Sequence, residues 1–381
     1  MKAIINGIIV VGQELILGQA LVFDEFIREL LPKTELNRSQ MEIIDAGGRY
    51  VVPGFINVHI HGCGGADAMD GTAEALATMS RLLPSTGVTA YLPTTMTATQ
   101  ENITQALETV RQARAGVAGA QVLGCHLEGP FISPLYKGAQ KEEYICLPQL
   151  AWLEPYSDVI KLITCAPELL QGEEFTAWCQ AQGIVLSVGH SGADYATAQQ
   201  AFATRGFSHV THLYNAMTGL HHRQPGIVGA ALADADVMCE LICDNVHVHP
   251  VVQRLTYQLK GSEHIELITD SIRACLLGDG ASELGGQQVT VHGMTATLAD
   301  GTIAGSVLTM DRALANLQAN TGASLVEVVG MVTSNPAREL QLQDRGSLTV
   351  GKRADIVLCD ENFHIAATYV GGEQVYQSKG E

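Results

Sequence analysis

Eight short apolar runs between residues 52 and 269 alternate with amphipathic or alanine-rich stretches. This alternation constrains the fold more than any other feature of the chain. The runs cover residues 55–59, 88–92, 122–127, 159–165, 184–188, 210–213, 237–243 and 265–269. Repeated β/α units build a parallel sheet, and eight of them predict a (β/α)8 barrel. Helices are expected at 73–83, 100–115, 173–181 and 194–203, with Gly87, Gly183 and Gly206 as stops.

The ends of these runs carry a second pattern. His59 and His61 close the first run, Glu128 the third, His190 the fifth, His212 the sixth and Asp270 the eighth. Residues two apart on a strand share a face, so His59 and His61 can approach one ion. In a barrel every strand ends at the same mouth, which brings ligands from separate strands together. His190 and His212 lie one β/α unit apart and are expected on neighbouring strands. A single histidine of this kind reads as structural, whereas the joint placement reads as a metal site for hydrolysis. Asp270 could be a helix N-cap, or the carboxylate that moves a proton for a hydrolytic water.

The same alternation sorts the remaining candidates. His209, three residues before His212, is expected to face the helix layer. His221 and His222 read as loop residues, and His264, His292 and His364 fall outside the pattern and read as structural. Cys63, beside the histidine pair, reads as a small buried residue.

The flanks differ from the middle. Residues 3–11, 19–26 and 41–44 read as short strands separated by turns, and the segment from Gly351 to Tyr376 returns to that pattern. Both ends are expected to pair into one small β-sandwich domain. The expected division is residues 1–51 and 344–381 for that domain and 52–343 for the barrel, with a β-like insertion at 285–297 and helices at 310–318 and 325–333.

Charge and cysteine usage narrow the partners. The net charge of −18 over 381 residues argues against nucleic acid or an anionic membrane. An anionic substrate then needs a local basic pocket. Nine cysteines show no Cys-x-x-Cys pair or framework spacing, as expected of thiols in a cytoplasmic protein. Residues 1–17 are apolar but punctuated by Asn6, Gly7, Gly12, Gln13 and Glu14, so neither an export signal nor a membrane span is expected there.

At Pro53 to Gly62, His126 to Pro130, Gly189 to Ser191, Thr211 to Met217, Arg223 to Gly226, Thr269-Asp270 and Asn335 to Arg338, the chain resembles the amidohydrolase superfamily. Within it, the chain is similar to the branch that deacetylates N-acetylhexosamine 6-phosphates, which carries a Glu on the third strand. The resemblance implies that Glu128, His190 and His212 hold a principal divalent metal, zinc or iron. It implies that His59 and His61 hold a second ion bridged by Glu128, and that Asp270 is catalytic. Asn215 and Ala216 are implied on the phosphate, His247 on the sugar, and Arg223 on the phosphate across a homodimer interface. A planar guanidinium suits phosphate oxygens.

Two positions depart from the pattern. Gln140 follows Lys137-Gly138-Ala139 where many relatives carry His; its amide can donate a hydrogen bond to substrate but cannot become cationic. Asp244-Asn245-Val246-His247 has Asn where relatives often have Gly, and Asn tolerates a left-handed backbone. The stretch from Met217 to Arg223 is also similar to relatives acting on the galacto epimer. The reading is thus removal of acetate from N-acetylglucosamine 6-phosphate, with the galacto epimer, a cyclic-amide or deaminating hydrolase, and a non-catalytic barrel as alternatives.

Overall fold

A computed structural model describes residues 1–379. Two sheets at one end of the molecule are built from both chain termini. The first orders Ile27–Pro32, Gln19–Phe23, Lys2–Ile5 and Glu42–Asp45; the second orders Glu373–Gln377, Ile365–Val370, Ile356–Cys359, Tyr50–Pro53, Ile8–Val11 and Glu14–Ile16. Between them lie Ile4, Ile9, Leu21, Phe23, Val51, Ile356 and Tyr369, with the Phe23 and Tyr369 rings edge to face at 5.8 Å.

Strand alternation explains why these segments are apolar on consecutive residues. Ile9, Val51 and Ile356 face into the sandwich, whereas their neighbours Val10, Val52 and Val357 face the barrel core. Burial on both faces erases the polar alternation of a half-exposed strand. The strand Tyr50–Pro53 runs across the expected junction at residue 51. The expected single strand over 3–11 is two strands in different sheets, because Asn6 takes a left-handed conformation (φ 56°) and turns the chain between them.

The barrel strands are Phe55–Ile60, Val88–Pro93, Cys125–Glu128, Ile160–Cys165, Val185–Val188, Phe207–Val210, Met238–Ile242 and Ile265–Ile268. Neighbours pair in parallel, and the bridge Thr94 to His126 joins the second to the third. The third begins as Gln121–Val122 against the second before joining the fourth. The ring closes where Asp270 N donates to His59 O at 3.0 Å and His61 N to Ser271 O at 2.9 Å.

Helices between the strands start on side-chain caps. Thr72, Thr99 and Asp194 accept from the backbone N–H of Ala75, Asn102 and Thr197. After the eighth strand an antiparallel insertion, Gly280–Leu284, Gln287–His292 and Thr295–Thr297, folds over the mouth and packs Leu284 against Met96 and Ile272.

The sixth strand departs from expectation. It covers Phe207–Val210 rather than 210–213, because Gly206 (φ 75°) ends the preceding helix and the strand starts at once through the polar pair Ser208-His209. His209 therefore lies inside the barrel and not in the helix layer. It is fully buried, 2.8 Å from Ser187 Oγ and 3.3 Å from Glu266 Oε2. The period of two fails between His209 and His212 because the strand ends at Val210 and His212 is left-handed (φ 32°).

Candidate metal centre and substrate cavity

Three of the residues at the mouth, His190, His212 and Asp270, have φ values of 47°, 32° and 48°. Each follows a strand by two residues and bends back over its end. A left-handed backbone is uncommon for residues other than glycine and asparagine, and it concentrates at functional positions. His59 lies within the first strand and His61 just past it, while Glu128 ends the third.

The four histidine side chains meet at Glu128. Its Oε1 is 3.1 Å from His190 Nε2, 3.1 Å from His212 Nε2 and 3.5 Å from His59 Nε2. Its Oε2 is 3.4 Å from His61 Nε2. Asp270 Oδ1 lies 3.1 Å from His61 Nε2 and 3.4 Å from His59 Nε2. These form two groups with ligand atoms within 4.8 Å of one another, Glu128 with His190 and His212, and His59 with His61 and Asp270.

The far ring nitrogens set the tautomers. His61 Nδ1 lies 3.2 Å from the Thr94 carbonyl oxygen and His190 Nδ1 2.9 Å from that of Tyr136. A carbonyl oxygen only accepts, so both Nδ1 atoms carry protons and both Nε2 atoms can present lone pairs to the cluster. His59 Nδ1 is held 2.9 Å from Glu240 Oε2 in the same way. His59 Nε2 is buried and makes no hydrogen bond, while the Nε2 atoms of His190 and His212 face each other at 3.1 Å. Lone pairs converging on carboxylate oxygens fit a cation.

Both carboxylates at the cluster are held ionised. Burial works against the charge on Glu128, but His59, His190 and His212 outweigh it and hold the carboxyl well below its usual range. At Asp270 burial is likewise overcome, by His59 and His61, and the carboxyl is held low. A third group of suitable spacing, His59, His126 and Glu240, is structural. Both His126 nitrogens are engaged, with Val58 O at 3.1 Å and Thr164 Oγ1 at 2.7 Å.

Above the cluster opens a cavity of about 300 Å³. Gln140, Asn215, Ala216 and His247 line it beside the ligands, and Met96, Leu284 and Ile303 form an apolar wall. His247 Nδ1 is 2.6 Å from Asp244 Oδ2, and Asp244 Oδ1 accepts the N–H groups of Val246 and His247. Burial lowers the His247 pKa, but the Asp244 carboxylate raises it further. Asn245 is left-handed (φ 67°), and its amide oxygen accepts from Gln253 and Asn320. Asn215 donates to the backbone oxygens of His212 and Leu213.

Arg223 is not brought to this cavity within its own chain. It is exposed in the turn His221 to Gln224, with Nη1 2.6 Å from His222 Nε2. Sequence reasoning missed Glu240, Asp244 and the Thr94 carbonyl. Glu240 had a readable signal: it is the one charged residue in the apolar run from Val237 to Cys243, and a buried charge implies a partner.

The Amidohydrolase family profile matches residues 50–375, and the chain belongs to that family. An N-acetylglucosamine-6-phosphate deacetylase from Bacillus subtilis (strain 168) is 43% identical over 338 residues, covering 86% of this chain and 85% of its own. An N-acetylgalactosamine-6-phosphate deacetylase from Escherichia coli O157:H7 is 35% identical over 339 residues, covering 87% of this chain and 89% of its own. The solved structure of a Mycobacterium smegmatis N-acetyl-D-glucosamine-6-phosphate deacetylase mutant in complex with N-acetyl-D-glucosamine-6-phosphate superposes with a TM-score of 0.91 at 30% identity, over 99% of both chains.

Proposed function

We propose that the chain hydrolyses the N-acetyl group of N-acetylglucosamine 6-phosphate, giving glucosamine 6-phosphate and acetate. The observation that carries this reading is the convergence of Glu128, His190, His212, His59 and His61 with Asp270 at the floor of a cavity large enough for a phosphosugar, in a chain 43% identical to such a deacetylase. A divalent cation, zinc or iron, would supply Lewis acidity and acidify a water there. Glu128, His190 and His212 would hold one ion, and His59, His61 and Glu128 would hold a second.

Asp270 takes the proton of the attacking water as the new C–O bond forms. It returns that proton to the amide nitrogen as the C–N bond breaks, so the sugar leaves as a neutral amine rather than an amide anion. His247, oriented by Asp244, binds a sugar hydroxyl. Asn215 and Ala216 face the phosphate.

Arg223 reaches the phosphate of a partner subunit's cavity in a homodimer. Supporting this, the helix Pro250–Lys260 exposes Val251, Leu255 and Leu259, 45%, 49% and 63% accessible. These form an i, i+4, i+8 apolar stripe of the kind a second copy covers. Among the described residues no helix is long and apolar enough to cross a membrane. Nine free cysteines, eight of them buried, suit the reducing cytoplasm.

The galacto epimer is the second reading, favoured by the 35% identical relative from Escherichia coli O157:H7. Acetate release from both epimeric phosphosugars, before and after removal of metal with a chelator, tests the proposal. Absence of metal-dependent release from either sugar would exclude it.

A further inference from the structure

Gln140 is 4% accessible and held at both ends of its amide. Its Oε1 accepts the backbone N–H of Thr97 at 2.7 Å. That N–H can only donate, so the amide has one permitted orientation and its nitrogen must point the other way. There Nε2 donates to Glu128 Oε2 at 2.8 Å. The loop carrying it is also tied down, since Gln287 of the antiparallel insertion donates to Ala139 O at 2.6 Å.

The effect falls on the one carboxylate that touches histidine rings of both ligand groups. Glu128 Oε1 faces His190 and His212 and, at 3.5 Å, His59, whereas Oε2 faces His61. A carboxylate free to rotate can turn both oxygens onto one ion. An amide pinned through Thr97 and donating to Oε2 opposes that rotation.

We infer that Gln140 is a positioning residue that keeps Glu128 Oε2 turned toward His61, away from the ion of His190 and His212, and so sets how strongly Glu128 joins His59 and His61 in holding a second ion. The inference rests on the metal-dependent reading above. It also changes the place of Gln140, from a contact for substrate alone to a support for a ligand. Being a neutral amide, it performs this task without a change of protonation over the range in which Glu128 is ionised.

Gln140→Met keeps the length of the side chain and removes both amide groups. Metal-free wild type and variant are titrated with Zn2+ against a chromophoric chelator, with circular dichroism and thermal melting of the metal-free proteins as folding controls. Loss of an outer hydrogen bond to a ligand costs roughly tenfold to a hundredfold in metal affinity. That loss is expected at one of two ions, with the other retained. If Gln140→Met does not fold, Gln140→Asn serves instead: it keeps the amide but is one methylene too short to reach Thr97 N–H and Glu128 Oε2 at once, and the same selective loss is expected. Two unchanged affinities, an equal loss at both, or a wild type that binds a single ion would each overturn the inference. Deacetylation by the metal-loaded wild type is measured separately, so failure of the functional reading and failure of the Gln140 role give different results.

Discussion

Glu240 Oε2 lies 2.9 Å from Nδ1 of His59, and this contact fixes which ring nitrogen of His59 faces the metal ligands. The same oxygen accepts the backbone N–H of His212 at 2.9 Å. One fully buried carboxylate thus orients parts of both ligand groups.

A pH dependence of stability follows. Burial opposes ionisation of Glu240, but His59, through charge and hydrogen bond, and the charge on His209 outweigh it and bring its pKa down to about 2. A depressed carboxylate pKa contributes stability above the unfolded value, near 4.5, and that contribution is lost as pH falls toward 2. Its full size is on the order of 3 kcal/mol. Urea unfolding of metal-free wild type and Glu240→Gln is expected to show a stability difference at neutral pH that narrows below about pH 4.5. A difference constant with pH would contradict this.

Asp270→Asn is expected to retain metal near the wild-type level and to lose turnover by at least about a hundredfold, because an amide cannot carry the proton. Metal analysis beside a steady-state assay checks both halves. Wild-type turnover would remove Asp270 from the proton-transfer step.

His190→Ala and His212→Ala each remove a ligand atom 3.1 Å from Glu128 Oε1 and are expected to lose metal and activity together. The His59, His61 double alanine variant is expected to fall toward one ion per chain. Full occupancy in all three would refute the ligand assignment.

Arg223→Ala is expected to weaken use of the phosphorylated sugar by about tenfold to a hundredfold, the equivalent of one charge-assisted hydrogen bond of about 1.5 to 3 kcal/mol. Use of the unphosphorylated sugar should change far less. Mixed dimers of Arg223→Ala with His212→Ala are expected to regain some activity, since one mouth then combines an intact cluster with an intact arginine. Confirmed mixed dimers without rescue would put Arg223 outside the partner's site.

The apolar runs made most of the barrel legible, because strands buried on both faces and capped helices each leave a local signal. The sixth strand was misplaced since its first residues, Ser208 and His209, are polar for reasons outside local sequence. Ser208 bonds Glu339 on the far side of the chain, and His209 meets Glu266 inside the barrel. The ligand candidates were legible as strand-end residues, yet the left-handed turns that aim His190, His212 and Asp270 follow from packing at the mouth. Support from Glu240 and Thr94 depends on contacts between segments far apart in the chain, whereas Asp244 meets His247 only three residues on.

The strand Tyr50–Pro53 pairs on one side with Ile8–Val11 and on the other with Ile356–Cys359. During synthesis from the N-terminus, the first of these partners is available at once and the second only after more than three hundred further residues. Until then one edge of an apolar strand stays open, and open strand edges are where chains join one another wrongly. Truncation of the last few dozen residues therefore threatens more than a peripheral sheet: it leaves the newborn chain with a permanent adhesive edge beside the barrel.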